Sequence, residues 1–118
     1  MKLHLQAIFV AVCFVLATHA DAHAHPKSEV PADGATVAAP PEVTISFDDA
    51  LEPVFSSITV SDTQGHSVIS TKADLDAVSH KILHLNLPVL APGIYQVKWV
   101  AVSIDGHRTT GIYRFTVK

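Results

Sequence analysis

The feature that most constrains the fold is a series of short segments in which apolar and polar residues alternate, separated by prolines and glycines. The longest segment spans about residues 94–102, and another spans about residues 110–117. Alternation with a period of two places the apolar side chains on one face of a β-strand. About seven such strands, without a convincing amphipathic helix, predict an all-β fold: a small antiparallel Greek-key β-sandwich or barrel of the immunoglobulin-like type.

Shorter alternating segments predict strands at residues 43–47, 57–61 and 81–86. A Gln-Gly pair after the second of these predicts a turn, with residues 67–70 returning as the partner strand of a hairpin. Residues 72–79 leave two alternatives open, a helical turn or an irregular loop. The aromatic residues of the last two strands are expected to belong to the core rather than to a ligand cage. They are Tyr95, Trp99, Tyr113 and Phe115.

The N-terminal segment has the order of a secretory signal peptide. Lys2 is followed by an apolar run over residues 5–17 and then by the small residues Ala20 and Ala22,. The run is shorter than the roughly 20 residues of a transmembrane helix, although an uncleaved anchor is the alternative. We expect residues 1–22 to be a signal peptide and residues 23–118 to be one exported domain. Cleavage after residue 22 would make His23 the first residue, and cleavage two residues later would make it His25.

Composition limits what the exported domain can bind. The formal charge of −3 argues against nucleic acid as its main partner,. The single cysteine, Cys13, and the single methionine, Met1, both lie in the predicted signal peptide. The mature domain would therefore have no disulfide and no sulfur ligand, and we expect no Cu(I) site, because soft sulfur ligands hold that ion. We expect a soluble monomer.

An N-terminal histidine is an unusual metal ligand, because its α-amine and its ring Nδ1 can chelate one ion. The amine has a pKa of about 8 in short peptides, so copper can displace its proton near neutral pH. Another imidazole and a carboxylate would complete the nitrogen and oxygen set that Cu(II) prefers. Asp105 and His107 lie two residues apart on or beside a strand, so they would face the same side. The structural alternative is a plain turn, capped by Asp105, with Gly106 at positive φ.

Four segments together resemble the CopC family of periplasmic copper-binding proteins. They are residues 23–34 (HAHPKSEVPADG), 43–49 (VTISFDD), 92–99 (PGIYQVKW) and 101–108 (AVSIDGHR). The resemblance covers essentially all of the predicted mature chain and implies a β-sandwich or barrel fold. It also implies a Cu(II) site made by His23, Asp105 and His107. Asp49 stands at the place of an acidic residue, often glutamate, that lies near the copper in some members.

Two features depart from the family pattern or compete with it. Pro26 stands where a leucine is common, and the methionine-rich Cu(I) segment of some members is absent. A chain beginning His23-Ala24-His25 has histidine in the third position. Its amine, two deprotonated amides and the His25 imidazole could bind Cu(II) in a competing mode.

The remaining histidines of the predicted domain are His66, His80 and His84. His66 follows a turn glycine and is expected to be exposed. In a strand, His80 and His84 would be roughly 13 Å apart, too far for one metal ion. If residues 72–85 were helical instead, these two would be adjacent, and a second metal site would become credible.

The leading hypothesis is a periplasmic Cu(II)-binding protein that is not an enzyme. The resemblance implies a role in copper tolerance, storage or delivery to an inner-membrane copper transporter. One alternative is a copper monooxygenase or oxidase that uses the same histidine chelate, although the chain is short and lacks an obvious flat aromatic surface. Another alternative is a metal-free β-sandwich interaction module.

Overall fold

The structure, a computed structural model, describes residues 23–118, and these residues form eight β-strands and no helix. In chain order the strands are β1 (Pro26–Val30), β2 (Thr36–Val37), β3 (Glu42–Phe47), β4 (Ser57–Ser61), β5 (Asp74–Leu75), β6 (Ile82–Asn86), β7 (Gly93–Val102) and β8 (Arg108–Val117). Within this range there is accordingly no helix long and apolar enough to cross a membrane. The predicted signal peptide, residues 1–22, lies outside the described residues.

The strands form two four-stranded sheets that enclose one core. The first sheet has the order β1-β3-β6-β5 and the second has the order β2-β8-β7-β4. Consecutive strands repeatedly lie in different sheets, as β3 and β4 do, and such crossings are typical of Greek-key sandwiches. The predicted all-β sandwich is therefore confirmed, with eight strands in place of about seven.

The pairing is antiparallel with one exception, because β2 runs parallel to β8. The segment before β2 is tied to the same strand, since the Gly34 amide donates to the Arg114 carbonyl at 2.7 Å. This parallel pair makes the second sheet mixed at its edge, within a sandwich that is otherwise antiparallel as predicted. A two-residue segment is too short for a period-two pattern, and so β2 itself was not predicted.

On one face of each of the last two strands, the apolar residues point toward the other sheet and are buried, as the alternation predicts. They are Tyr95, Val97, Trp99, Ala101, Tyr113, Phe115 and Val117. Trp99 meets Phe47 of the first sheet edge-on, with ring centroids 5.3 Å apart. Burying one large apolar side chain contributes about 1.5–3 kcal/mol. These aromatic side chains therefore stabilise the core, as predicted, and do not form a ligand cage.

The predicted hairpin after β4 is wrong in its second strand. Residues 67–70 make a single isolated bridge, between Ser67 and Ser61, rather than a strand. Val68 and Ile69 are neighbours in sequence, yet both pack against the core. A regular strand would send these two side chains to opposite faces. Because both side chains pack against the core, this segment is irregular and does not form the predicted strand.

Residues 72–79 form no helix but combine both alternatives, because an irregular segment leads into one turn in which the His80 amide donates to the Asp76 carbonyl at 2.9 Å. They contain only the two-residue strand β5, which pairs with β6, and then a turn. His80 ends this turn with a positive φ of 55°, a conformation that a helix interior excludes,. The helical reading of residues 72–85, and with it the adjacency of His80 and His84, is wrong.

The hairpin of β7 and β8 carries the turn that bears the predicted metal ligands. Its register runs from Gly93 opposite Val117 to Val102 opposite Arg108. β8 begins at Arg108, two residues before the predicted start. Residues 103–107 form the connecting turn at the end of this long ladder, and so the ladder fixes where the turn stands.

Candidate metal centre

The turn between β7 and β8 has the backbone geometry predicted for a capped turn. The Ser103 amide donates to the His107 carbonyl and the Gly106 amide donates to the Ser103 carbonyl, each at 2.9 Å. Gly106 has a φ of 91°, which glycine adopts without the steric cost that other residues have,. The His107 amide donates to Asp105 Oδ1 at 3.2 Å. The predicted capped turn is thus confirmed.

Asp105 and His107 form a side-chain pair on this turn. Asp105 Oδ2 lies 2.8 Å from His107 Nδ1, and the hydroxyl of Ser103 donates to Asp105 Oδ1. The hydroxyl of Ser103, the His107 ring and the His107 amide, in that order of effect, lower the pKa of Asp105 to about 2. An ionised Asp105 favours the proton on Nδ1 of neutral His107, which leaves Nε2 as the ring nitrogen able to bind a metal.

The first described residues are attached to the same end of the sandwich. Ala24 is fully buried in the core, and its carbonyl accepts a hydrogen bond from Thr109 Oγ1 at 2.8 Å. The His25 amide donates to Asp48 Oδ1 at 2.7 Å, and the Asp48 amide donates back to the His25 carbonyl at 3.0 Å. The start of the predicted mature chain is therefore held between the end of β3 and the start of β8.

This attachment brings His23 beside the turn. The imidazole rings of His23 and His107 have centroids 4.7 Å apart and planes inclined by 46°. Both residues are exposed. Two imidazoles beside an ionised carboxylate offer the nitrogen and oxygen donors that Cu(II) prefers. The structure thus places His23 beside His107, and His107 beside Asp105; these are the three residues predicted as ligands.

These donors do not yet form a closed metal site. Within residues 23–118, no three histidine, cysteine, aspartate or glutamate side chains are grouped so that they could hold an ion. In the uncleaved chain the nitrogen of His23 is a peptide nitrogen bonded to Ala22. The predicted chelate needs a free α-amine there, and so it can form only after cleavage.

The sequence offered two additional candidate metal ligands, His25 and Asp49, and their described contacts differ from those of the three residues above. His25 is exposed, and its backbone is bonded to Asp48 on both sides, through the amide and the carbonyl. Asp49 is exposed, and its Oδ1 accepts a hydrogen bond from the next amide, that of Ala50, at 2.8 Å. A carboxylate that contacts the N-terminal segment is that of Asp48, one residue before the candidate.

Sequence reasoning missed Asp48 and Ser103. The alternation of β7, continued by two residues beyond Ala101, places Ser103 on the inward face, and it is indeed fully buried. A buried serine two residues before an aspartate could have been recognised as its hydrogen-bond partner. Asp48 carried no such signal, because its contact depends on how β1 and β3 align.

The other histidines lie outside this centre. The His66 amide is bonded to Asp62 Oδ1 in a turn, and His84 Nδ1 lies 3.4 Å from Thr44 Oγ1 and 4.0 Å from Glu42 Oε2 on the first sheet. His80 donates its amide to the Asp76 carbonyl. None of the three belongs to a group of metal-binding side chains within residues 23–118.

The fold and this centre together define a class: an all-β sandwich with exposed histidines and a carboxylate at one end. Comparison with known proteins identifies the family. The CopC domain model matches residues 26–118, and the chain belongs to the CopC family. The resemblance predicted from four sequence segments is therefore confirmed. CopC relatives include copper resistance and copper transport proteins.

Several curated relatives match over most of this chain. Protein YobA of Escherichia coli K12 is 37% identical over 99 residues, covering 82% of this chain and 80% of the relative. Copper resistance protein C of Escherichia coli is 34% identical, with 87% of each chain covered. Copper transport protein CutJ of Bacillus subtilis is 31% identical over 81% of this chain, which is 18% of that longer relative.

Solved structures agree with the fold. CopC from Methylosinus trichosporium OB3b has a TM-score of 0.77 at 37% identity, covering 81% of this chain and 94% of that one. PcoC, a methionine-rich copper resistance protein from Escherichia coli, has a TM-score of 0.67 at 34% identity, covering 81% and 99%. The methionine-rich character of that relative is not shared by this chain, whose single methionine is Met1.

Proposed function

We propose that the protein is exported, is cleaved before His23, and then binds Cu(II) in the periplasm without catalysing a reaction. The observation that carries this proposal is the approach of the His23 and His107 rings to 4.7 Å. The two residues come from opposite ends of the domain, and no core packing requires two exposed imidazoles to lie side by side. Copper is the cargo in this proposal.

Each residue of the centre has a distinct part. The new α-amine and the ring Nδ1 of His23 form a chelate, and His107 supplies its Nε2. Asp105 holds His107 through Nδ1 and brings a negative charge to the ion. Its Oδ2 can become an oxygen ligand by exchanging its hydrogen bond for the metal. Since amine and imidazoles must be deprotonated, copper binding weakens as the pH falls.

The physiological role follows from the relatives rather than from the geometry. Relatives of this chain are named copper resistance protein C, and the much longer CutJ is named a copper transport protein. We infer a role in copper tolerance or storage, or in delivery to an inner-membrane copper transporter. For such roles the mature protein would be soluble and monomeric, and its exposed centre suits transfer of the ion.

The test is the Cu(II) affinity of the exported, processed protein with His107→Ala, compared with His84→Ala. Loss of an orienting partner alone typically lowers metal affinity about 10–100-fold, so loss of a ligand should lower it by at least about a hundredfold. His84 lies on the first sheet and should matter little. Fluorescence of Trp99, the single tryptophan, reports Cu(II) binding by quenching. Equal losses in both variants would contradict the assignment.

No observation favours the alternative that the protein is a copper monooxygenase or oxidase. An assay with polysaccharide, reductant and peroxide should give no oxidised sugar. A metal-free interaction module would bind no copper even after reconstitution of correctly processed protein, which metal analysis would detect.

A further inference from the structure

The two residues after His23 are held more tightly than a chain start usually is. Thr109 Oγ1 donates to the Ala24 carbonyl at 2.8 Å, and Ala24 itself is fully buried. The His25 amide donates to the Asp48 carboxylate at 2.7 Å, and the Asp48 amide donates to the His25 carbonyl at 3.0 Å. Three hydrogen bonds and one buried side chain thus anchor a two-residue segment, which we call the N-terminal anchor (Ala24 and His25).

The N-terminal anchor contains the atoms that a competing metal site would need. A free N-terminus with histidine third can surround an ion with four nitrogens in one plane: the amine, the second and third amides, and the third imidazole. Here these amides would be those of Ala24 and His25, each giving up its proton. Square-planar nitrogen sets of this kind suit Ni(II) as well as Cu(II).

The fold opposes this four-nitrogen mode. The His25 amide already donates its hydrogen to Asp48, so a metal at that nitrogen would break a charge-assisted hydrogen bond and leave the carboxylate facing the ion's ligand,. Turning the Ala24 amide toward an ion would also pull a buried side chain out of the core. His23 precedes the anchor, and hence its amine and ring can reach His107 while the anchor stays bound.

We propose that Asp48, assisted by Thr109, selects the metal-binding mode of this protein by blocking the four-nitrogen site. The consequence is discrimination against Ni(II), which needs the amide nitrogens for square-planar binding, whereas Cu(II) binds through His23 and His107. This inference rests on the proposed function in one respect, the cleavage before His23. Asp48 acts here as a positioning residue, because it holds a backbone nitrogen and does not touch the ion.

The experiment compares Ni(II) binding by exported proteins whose N-terminus has been identified as His23 by mass spectrometry. The variants are Asp48→Ala, Asp48→Ala with His25→Ala, and Asp62→Ala. The last one is a matched control, because Asp62 also caps backbone amides, at 2.9 Å, but in a turn remote from the N-terminal anchor. Square-planar Ni(II) is diamagnetic, and so its absorption and its sharp proton NMR lines distinguish it from loosely bound Ni(II).

Asp48→Ala should raise Ni(II) affinity about ten- to a hundredfold and produce the diamagnetic species, because that range corresponds to one hydrogen bond to a charged group. Adding His25→Ala should abolish the gain. Asp62→Ala should behave like the wild type. Thr109→Val, which is isosteric, should produce a smaller gain in Ni(II) affinity. This variant replaces Asp48→Ala as the test if Asp48→Ala folds poorly.

Three outcomes of the Ni(II) titration would overturn the inference. The first is a wild-type protein that already binds Ni(II) in the diamagnetic form as tightly as Asp48→Ala. The second is no gain in Asp48→Ala and Thr109→Val, and the third is a gain that survives His25→Ala. A mature chain that begins at His25 would overturn it as well, since the third residue is then no histidine.

The Cu(II) data separate this inference from the proposed function. If wild-type Cu(II) affinity depends on His107 but Asp48→Ala shows no gain for Ni(II), only the role of Asp48 fails. If wild-type Cu(II) binds independently of His107 through four nitrogens, as its electron paramagnetic resonance spectrum would show, both fail.

Discussion

Single residues in the candidate centre mostly hold other residues in place. Ser103 is fully buried, and its hydroxyl donates to Asp105, which in turn binds the ring of His107. This chain of contacts keeps Asp105 ionised and His107 in one orientation. A buried hydroxyl has no access to water, and so its hydrogen bonds to the turn persist.

Replacing this hydroxyl should weaken copper binding without removing any ligand. We expect Ser103→Ala to lower Cu(II) affinity about 10–100-fold, the usual effect of losing a partner that orients a metal ligand. The measurement is a competition titration of the processed protein with a Cu(II) chelator. Ser56→Ala is the control, because Ser56 is also buried but its hydroxyl accepts the Val102 amide at 3.1 Å. Equal effects of both changes would contradict a role for Ser103 in the centre.

Among the strands, the hairpin of β7 and β8 determines where the turn with Asp105 and His107 stands. Trp99 lies opposite Gly111 in this ladder, and a Cβ atom at position 111 would overlap the indole ring. Glycine is therefore required here by space and not by backbone conformation. The absence of a side chain at position 111 leaves room for the indole of Trp99, which meets Phe47 of the first sheet edge-on.

A methyl group at position 111 should destabilise the hairpin. Gly111→Ala forces the indole or the strand to shift, and overpacking of this kind costs about 1–3 kcal/mol of unfolding free energy. Urea unfolding followed by Trp99 fluorescence measures the loss. Thr110→Ala, an exposed change one residue earlier, should stay within about 0.5 kcal/mol of the wild type,. A Gly111→Ala protein as stable as this control would refute the packing argument.

The hydroxyl groups of two tyrosines in the same hairpin differ in their hydrogen bonding. Tyr95 Oη donates to the Ala91 carbonyl at 2.6 Å, whereas the buried Tyr113 Oη has no hydrogen-bond partner within residues 23–118. Burial, followed by the nearby charges of Glu29 and Asp33, raises the pKa of Tyr113 far above its usual value. The Tyr113 hydroxyl is therefore neutral, and it has lost water without gaining a partner.

We expect Tyr113→Phe to leave the unfolding free energy unchanged or to raise it by up to about 1 kcal/mol, because the desolvated hydroxyl is removed. Tyr95→Phe should lower it by about 1 kcal/mol, because a hydrogen bond is lost. Chemical denaturation of the two variants side by side gives the comparison. A larger loss in Tyr113→Phe than in Tyr95→Phe would mean that the Tyr113 hydroxyl has a partner.

At the scale of the whole molecule, the candidate centre joins the two ends of the domain. The start of the described chain lies against β8 through Ala24 and Thr109, and the β7–β8 turn lies beside it. The sandwich holds these segments together through strands that span residues 26–117. Folding of the sandwich and formation of the proposed chelate would thus be separate events, because only the second requires a cleaved peptide bond.

One extra residue before His23 should therefore abolish the chelate and leave the fold intact. We expect a mature protein extended by a single glycine to lose at least about tenfold in Cu(II) affinity, equivalent to about 1.4 kcal/mol. Its metal-free thermal unfolding should match that of the native form. Isothermal titration calorimetry measures the Cu(II) affinity, and a thermal melt of the metal-free protein measures its stability. Unchanged Cu(II) affinity would exclude the α-amine as a ligand.

Much of this molecule was predictable from local pattern. The strands at residues 43–47, 57–61, 81–86 and 94–102 and the inward faces of β7 and β8 were all predicted, because alternation follows directly from strand geometry. The capped turn at Asp105 and Gly106 was predictable for a similar reason, since the chemistry of a turn lies within a few residues. The strand predicted at 67–70 failed at the edge of a sheet, where Val68 and Ile69 both found core contacts.

The sequence by itself determined the strands β3, β4, β6, β7 and β8 and the family, and it proposed His23, Asp105 and His107 as ligands. Only the tertiary structure decided that Asp48 meets the N-terminal segment, and that the amide of His25 is already bonded. The physical reason is register. A slip of one residue between β1 and β3 would exchange the facing side chains while leaving each strand's own pattern unchanged. Contacts between distant segments depend on that register, and the register cannot be predicted from the alternation within a single strand.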